Sequence, residues 1–229
     1  MRRVMGVDGF RGGWVGVEVE VQKGADRIFE TKTFRSFKDL LVLDPFPDVI
    51  AIDIPIGLLG AESKGGRACD RQARRLLGPP RSSSVFSPPV RAALGAAVYE
   101  EAKRHGLTRQ GFGILPKVRE VDEQMTPELQ KRILEVHPEL SFREMNGRSM
   151  SHNKKGSQGR LDRIQALEDR LPGFSRSYLD VRPEGVAADD LLDAFAAAWT
   201  ALRIVAGEAV RFPSDPPRDQ KGLRMEIWY

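Results

Sequence analysis

The protein is a chain of 229 residues, of which 41% are hydrophobic and 30% are charged. This balance is typical of soluble globular proteins and excludes disordered and membrane-embedded classes. No apolar run reaches the roughly 20 residues of a membrane span, and the first ten residues lack the apolar core of a signal peptide, so we expect a cytoplasmic protein with no membrane partner. Cys69, the single cysteine, excludes an internal disulfide and a multi-thiolate zinc site. The net charge of +4 weakly favours an anionic partner.

The N-terminal segment RRVMGVDGFRGGWVGVEVEV (2–21) predicts two strands joined by a tight connection. Gly9, Gly12 and Gly13 lie at that connection, and glycine adopts the positive φ angles that tight turns require. The next segment, RIFETKTF (27–34), predicts a third strand.

A short helix is predicted over 36–41, followed by a fourth strand in DVIAIDI (48–54). This strand is almost entirely apolar, as expected for one that is covered on both faces, and Pro55 ends it. The segment RACDRQARRLLG (67–78) has the spacing of a helix.

The middle of the chain has a different character, and we expect a helical and loop insertion at about 60–130. Prolines in GPPRSSSVFSPPVR (78–91) prevent a continuous helix and predict an ordered surface loop. Helices are predicted over 92–106 and 117–124.

The segment RILEVHPELSF (132–142) predicts a further strand that ends at His137 and Pro138. The polar, glycine-bearing segment 145–160 predicts a mobile loop, and 161–171 predicts a helix.

The clearest late element is the helix of ADDLLDAFAAAWTALRIVAG (188–207), for which Asp189 is the predicted N-cap. The final residues, GLRMEIWY (222–229), predict a short strand. This order of elements predicts a single domain of the α/β class: a mixed sheet with an antiparallel beginning and helices on both faces.

Four aspartates stand out because two of them end buried strands and two share one face of a helix. Asp8 follows the first apolar strand, and Asp53 lies in the fourth, so both reach the same sheet edge if these strands are neighbours. Asp190 and Asp193 are three residues apart near a helix start. A buried, ionised and unpaired aspartate is unfavourable by several kcal/mol, and a cluster of them repels unless cations lie among them.

Oxygen ligands of this kind suit Mg²⁺ or Mn²⁺, and two such ions support phosphodiester hydrolysis. Each aspartate alone also has an ordinary structural explanation. Asp8 precedes a glycine, as turn residues do, Asp53 can bond the backbone, and acids in a first helical turn are favoured by the helix dipole.

Several motifs together resemble one known family, the domain-of-unknown-function family 429 of predicted nucleases with an RNase H-like fold. The motifs are GVDGFRGGWV, AIDIPIGL, RACDRQARRLLG, SSVFSPPVR, EVHPELSF and DDLLDAFAAAW. They cover most of the chain, from Gly6 to about Ala201. Within the wider superfamily, DLLDAFA is similar to the terminal-helix signature of the Holliday junction resolvases.

The resemblance implies an RNase H-like fold and four metal ligands: Asp8, Asp53, Asp190 and Asp193. Where resolvases commonly carry glutamate on the fourth strand, this chain has the shorter Asp53.

Other residues are candidates for proton transfer and for substrate contacts. Glu135 and His137 lie on the same side of the predicted fifth strand, and a histidine titrates near neutral pH; His137 could equally cap the next helix. Arginines and a serine near the middle of the chain could bind phosphate, or the arginines could form a solvated basic face: Arg67, Arg71, Arg74, Arg81 and Ser84. Basic residues of the polar loop are lid candidates, although such charges are usually solvated: His152, Lys154, Lys155 and Arg160.

The leading hypothesis is a divalent-metal-dependent nuclease that acts on nucleic acid or another phosphate-bearing substrate. A nucleotide-dependent phosphotransferase or ATPase of the same superfamily is the second hypothesis, although the chain shows no internal repeat from which to build two lobes. A noncatalytic module that binds nucleic acid or protein is the third. A homo-oligomer is compatible with each of them.

Overall fold

Five strands form the central sheet, which we describe from a computed structural model over residues 2–21 and 27–229. They are β1 (Arg2–Phe10), β2 (Gly13–Val21), β3 (Arg27–Phe34), β4 (Val49–Ile52) and β5 (Ile133–Glu135). Their spatial order is β3-β2-β1-β4-β5. Strand β2 runs antiparallel to both of its neighbours, whereas β1, β4 and β5 run parallel to one another. The predicted mixed sheet is confirmed, and the predicted first and fourth strands are neighbours.

Helices and a short ribbon complete the described chain. The helices are α1 (Phe37–Leu41), α2 (Ala68–Leu77), α3 (Tyr99–Lys103), α4 (Arg109–Gln124), α5 (Pro138–Asn146), α6 (Ser157–Arg170) and α7 (Ala188–Ala206). The ribbon pairs β6 (Arg211–Phe212) with β7 (Ile227–Trp228), so the C-terminal strand is shorter than predicted. None of the helices in the described ranges is long and apolar enough to cross a membrane.

Helices cover both faces of the sheet, which confirms the predicted α/β class. On one face α7 lies across β1, with α5 and α6 beside it. Helix α7 and strand β1 approach closely at Gly6. A Cβ atom added there would lie 2.0 Å from the backbone nitrogen of Ala198 and 2.2 Å from the carbonyl oxygen of Ala194. On the opposite face α1 and α4 pack against the sheet: Phe37 of α1 lies edge-on to Trp14 of β2, with ring centres 6.1 Å apart, in the same buried cluster as Val118 and Val121 of α4.

The residues between β4 and β5 contain α2, α3 and α4, in the region where an insertion was predicted. Their helix boundaries differ from the prediction. The helix predicted over 92–106 is reduced to a 3₁₀ turn (Arg91–Gly95) and α3, whereas α4 starts eight residues before the predicted 117–124 helix. The earlier start follows from Thr108, whose hydroxyl accepts a hydrogen bond from the Gly111 N–H at 3.1 Å and caps the helix.

The strand predicted in segment 132–142, which was expected to end at His137 and Pro138, is confirmed in a shorter form and is followed directly by a helix. Strand β5 ends at Glu135, and Pro138 begins α5, because its fixed φ and missing N–H suit the first helical position. The predicted loop over 145–160 is also shorter, since α5 extends to Asn146 and α6 begins at Ser157.

Helix α7 begins at Ala188, two residues earlier than a helix capped by Asp189 would begin. Its N-cap residue is Ala187, so the prediction that Asp189 caps the helix is wrong. Asp189 and Asp190 instead occupy the first turn, where the helix dipole favours negative charge.

Candidate metal centre

Three aspartates from three elements meet at one edge of the sheet. Val7 of β1 pairs in parallel register with Ile52 of β4, so the residues that follow them, Asp8 and Asp53, lie side by side. The Asp53 N–H donates to the Val7 carbonyl oxygen at 2.9 Å, which continues this pairing. Helix α7 crosses β1 and brings Asp193 to the same place. Carboxylate oxygens of Asp8, Asp53 and Asp193 lie within 4.8 Å of one another.

Two carboxylates of this cluster are buried, the third, Asp53, is partly exposed, and the three repel one another. Asp8 is 7% exposed and Asp193 is 3% exposed. Burial raises the pKa of Asp8 well above its ordinary value, and the charges of Asp53 and Asp193 raise it further. Burial also raises the pKa of Asp53 and raises the pKa of Asp193 to about 6. The cluster therefore requires protons or cations near neutral pH.

One cation of the protein already lies against these carboxylates. The ammonium group of Lys154 forms an ion pair with Oδ2 of Asp193, and its charge opposes the rise in the pKa of Asp8, Asp53 and Asp193. Lys154 belongs to the loop between α5 and α6, where the sequence predicted lid residues. This lysine was not predicted as part of the carboxylate site, and only its position in the fold identifies it.

Asp190, the fourth predicted metal ligand, lies one turn before Asp193 at the rim of the cluster. Among the described acids, it is outside the group whose oxygens converge, and its side chain is partly exposed. Burial raises the pKa of Asp190, as does the charge of Asp189, and the charge of Asp190 contributes to the raised pKa of Asp8. Asp190 is therefore close enough to act on the cluster, and its role as a ligand stays a prediction.

Glu139 lies beside the cluster and was missed as a site residue. It is in the first turn of α5 and is 6% exposed. Its Oε1 atom accepts a hydrogen bond from Arg163, and its charge raises the pKa of both Asp53 and Asp193 beyond the effect of burial. The sequence signal that could have identified Glu139 is Pro138, which begins α5. Because α5 follows a strand parallel to β4, its first turn lies at the sheet edge where β4 ends, next to Asp53.

The predicted catalytic residues Glu135 and His137 differ in their surroundings. Both oxygens of Glu135 are bonded, to the Ile56 N–H at 2.7 Å and to Arg67 at 2.7 and 2.5 Å. Burial raises the pKa of Glu135 to about 7, against the opposing charge of Arg67. These internal bonds give Glu135 a structural role, and its predicted catalytic role stays a prediction.

His137 is the N-cap residue of α5 and lies near the carboxylate cluster. Its charge acts on Asp53, whose pKa it lowers against the larger effect of burial. Its Nε2 atom is 3.4 Å from the carbonyl oxygen of Ser84, and its Nδ1 atom is buried without a partner in the described chain. A role for His137 in proton transfer stays a prediction.

Arg67 is buried and connects several segments of the protein through internal bonds. It is 2% exposed and pairs with Asp70 at 2.7 Å and with Glu135 at 2.5 Å. It also donates to the carbonyl oxygens of Ile56 and Gly57, at 3.0 and 3.2 Å. These bonds occupy the guanidinium group inside the protein, and the substrate contact of Arg67 stays a prediction that they do not support.

The other predicted phosphate-binding residues lie near the protein surface. Arg74 donates to the carbonyl oxygens of Val85 and Gly65, both at 2.6 Å, and thereby connects the segments after and before α2; its phosphate contact stays a prediction. Arg71 is exposed and donates to a single backbone carbonyl. Arg81 and Ser84 lie in the 3₁₀ turn whose backbone contacts His137, and they stay candidates for substrate contacts.

Comparisons with known proteins match the chain to one family model and to distant structures. The sequence profile of a family described as "Protein of unknown function (DUF429)" matches residues 6–218. No match was found among curated proteins. Thermus thermophilus RuvC in complex with a Holliday junction substrate is similar over 91% of this chain and 98% of that chain, with 14% identity and a TM-score of 0.36. A second Thermus thermophilus RuvC structure is similar over 90% and 97%, with 12% identity and a TM-score of 0.37.

Structural similarities with TM-scores of 0.36 and 0.37 support no argument about activity. The predicted RNase H-like fold is confirmed by the sheet itself, through its strand order and the single antiparallel position of β2.

Proposed function

The chain belongs to DUF429, the family that its motifs predicted, and we propose from its carboxylate site that it is a divalent-metal-dependent nuclease. The observation that carries this proposal is the convergence of Asp8, Asp53 and Asp193, whose oxygens lie within 4.8 Å of one another, with Asp8 and Asp193 buried and Asp53 partly exposed. Clustered acids whose pKa values are strongly shifted are more typical of functional sites than of structural ones.

The donor set fits Mg²⁺ or Mn²⁺. It consists of carboxylate oxygens, with no histidine or cysteine among the converging ligands of the described chain, and such oxygens are the ligands that these cations prefer. Burial raises the pKa of each carboxyl group, so the site favours a positive partner. When bound, a divalent ion would activate water and stabilise the leaving oxygen of a phosphodiester.

The chain's own residues orient the site and supply charge around it. The Gly9 N–H donates to Oδ1 of Asp8 at 2.7 Å and orients that carboxylate. Lys154 pairs with Asp193. The ammonium of Lys117 donates to the Gly13 carbonyl oxygen at 2.5 Å and lies 4.4 Å from the ring centre of Trp14, close enough for the charge of Asp8 to act on it. In this proposal Lys154 contacts substrate phosphate and His137 moves a proton near Asp53.

The proposed substrate is nucleic acid or another phosphate-bearing molecule, with Arg71, Arg81 and Ser84 in contact with its phosphates. The net charge of +4 supports an anionic partner. A phosphotransferase that closes two related lobes is less favoured, because the described chain contains one five-stranded sheet and a short ribbon instead of a second lobe. A cytoplasmic location and a possible homo-oligomer stay predictions.

Metal-dependent cleavage of a substrate panel tests the proposal. The panel contains branched DNA, RNA–DNA hybrid, single-stranded DNA and RNA, each with Mg²⁺, Mn²⁺ or chelator. We expect cleavage of at least one substrate only with metal, and at least about a 100-fold lower rate for Asp193→Asn, because even loss of an outer-shell partner of a metal lowers activity by roughly 10–100-fold.

The matched control is Asp169→Asn, the same chemical change at an exposed position on α6, which is expected to keep wild-type activity. Equal product from wild type and Asp193→Asn would overturn the assignment. Binding of these nucleic acids without cleavage under any metal condition would favour the noncatalytic module instead.

A further inference from the structure

Glu139 and Glu135 are both buried glutamates that pair with a buried arginine, but only Glu135 has both oxygens bonded. Glu135 accepts from two nitrogens of Arg67 and from the Ile56 N–H. Glu139 accepts from one nitrogen of Arg163 through Oε1. Its Oε2 atom is buried and has no hydrogen-bond partner in residues 2–21 and 27–229. An unsatisfied buried carboxylate oxygen is unfavourable by more than about 1–3 kcal/mol, so a purely structural ion pair does not account for it.

The topology places Glu139 at the same sheet edge as the aspartate cluster. Ile52 and Glu135 pair in parallel register, so β4 and β5 end together, and α5 begins three residues beyond β5. Glu139 is the second residue of that helix. Helix α5 also packs against α7, which carries Asp193, with the hydroxyls of Ser141 and Thr200 2.8 Å apart.

Arg163 fixes the direction of the Glu139 side chain. It is fully buried, and it also donates to the carbonyl oxygens of Gly159 at 2.8 Å and His152 at 3.3 Å. It therefore joins Glu139 to the start of the loop that carries Lys154. With Oε1 held by Arg163, the remaining oxygen of Glu139 is left for a partner that the protein itself does not provide.

We propose that Glu139, which like Asp190 lies outside the group of oxygens within 4.8 Å of one another, is a fourth carboxylate ligand of the metal centre, and that its Oε2 atom holds a divalent cation on the side of Asp53 and Asp193. This inference rests on the proposed function and adds a ligand from α5 to those of β1, β4 and α7. Two metal ions in one site need more carboxylates than one ion does, and Glu139 extends the donor set on the side of Asp53 and Asp193.

Calorimetric titration of the metal-free full-length protein with Mn²⁺ tests the inference without any substrate. The variant is Glu139→Gln, which keeps an oxygen for Arg163 and replaces the other with an amide. We expect fewer bound Mn²⁺ ions or at least about tenfold weaker binding, because loss of even an outer-shell partner weakens metal binding by roughly 10–100-fold. The control is Glu144→Gln on the same helix, whose carboxylate is partly exposed and 3.4 Å from Arg203; it is expected to bind as wild type does.

Thermal unfolding in chelator verifies that each variant is folded. Glu139→Asp, which keeps the charge that faces Arg163 and shortens the side chain, is measured as a second variant and is expected to weaken Mn²⁺ binding in the same direction. Wild-type Mn²⁺ binding by both Glu139 variants, with binding lost in Asp8→Asn, would overturn this inference and leave the proposed function standing. No Mn²⁺ binding by the wild-type protein would overturn both.

Discussion

Asp193 and Glu135 are both buried acids, but Asp193 belongs to the carboxylate cluster, whereas Glu135 forms internal bonds. Glu135 has a full set of internal partners and an opposing guanidinium group. Asp193 lies in one cluster with Asp8 and Asp53, and Lys154 forms an ion pair with it. A side chain in the second situation is stabilised by adding a cation or a proton, which is what a metal site requires.

The raised pKa of Asp193 makes the stability of the metal-free protein depend on pH. Its folded-state pKa of about 6 lies above the unfolded value of about 3.9, so between these values the folded protein holds a proton that the unfolded chain releases. The free energy of unfolding is expected to fall by about 3 kcal/mol for this group as the pH rises from about 4 to about 6. Urea unfolding in chelator across this range measures the fall.

Asp193→Asn supplies the comparison for this titration. The variant is expected to show a smaller fall over the same range, since it has no proton to lose at this position. The same pH dependence in both proteins would contradict the assignment of the fall to Asp193.

At the scale of elements, the site depends on how closely α7 approaches β1. The contact at Gly6 leaves no room for a side chain, and the alanines of α7 face the sheet at that point. A helix held farther away would withdraw Asp193 from Asp8 and Asp53. The close backbone contact between α7 and β1 is therefore what brings Asp193 to Asp8 and Asp53.

Gly6→Ala is expected to destabilise the protein by about 1–3 kcal/mol or more. The added Cβ atom would meet backbone atoms of Ala194 and Ala198 at 2.2 and 2.0 Å, and backbone cannot move aside as a flexible side chain can. Urea unfolding measures the change, and Mn²⁺ titration of the folded fraction is expected to show weaker binding.

Gly113→Ala is the control for this substitution. Gly113 is an exposed residue of α4, and an added Cβ atom there has nothing within 4 Å. Alanine in a helix interior is more stable than glycine by roughly 0.5–1 kcal/mol, so a small gain is expected. A loss of stability at Gly113 as large as that at Gly6 would show that the close contact is not the cause.

At the scale of the whole molecule, one buried network joins the region between β4 and β5 to the sheet. Arg67 precedes α2 and contacts Asp70 of that helix, Glu135 of β5, and the backbone at Ile56 and Gly57. Arg67 therefore connects the predicted insertion to the strands that carry the site. A surface role in phosphate binding would require a different position.

Arg67→Met is expected to lower the free energy of unfolding by about 3–5 kcal/mol, because it leaves Asp70 and Glu135 as buried carboxylates without their cation. Urea unfolding measures the loss. Arg71→Met, on the exposed side of the same helix, is expected to change stability by no more than about 0.5 kcal/mol. If Arg67→Met weakened substrate binding with no effect on stability, the structural assignment of Arg67 would be wrong.

The sequence alone determined the α/β class, most of the strands, the family, and the acids Asp8, Asp53 and Asp193 that come together. These features follow from local patterns: apolar runs, glycines at a turn, and carboxylates that end buried strands or share a helical face. The sequence also indicated a basic surface, but it did not separate Arg71, which is exposed, from Arg67, which is buried.

Only the tertiary structure decided which charged side chains share a pocket. Glu135 and Glu139 are four residues apart, yet one pairs with Arg67 of the region between β4 and β5 and the other with Arg163 of α6. Lys154 reaches Asp193 across 39 residues of sequence. Charge pairing and burial depend on distances in space, and residues that are distant along the chain set those distances once the helices pack on the sheet.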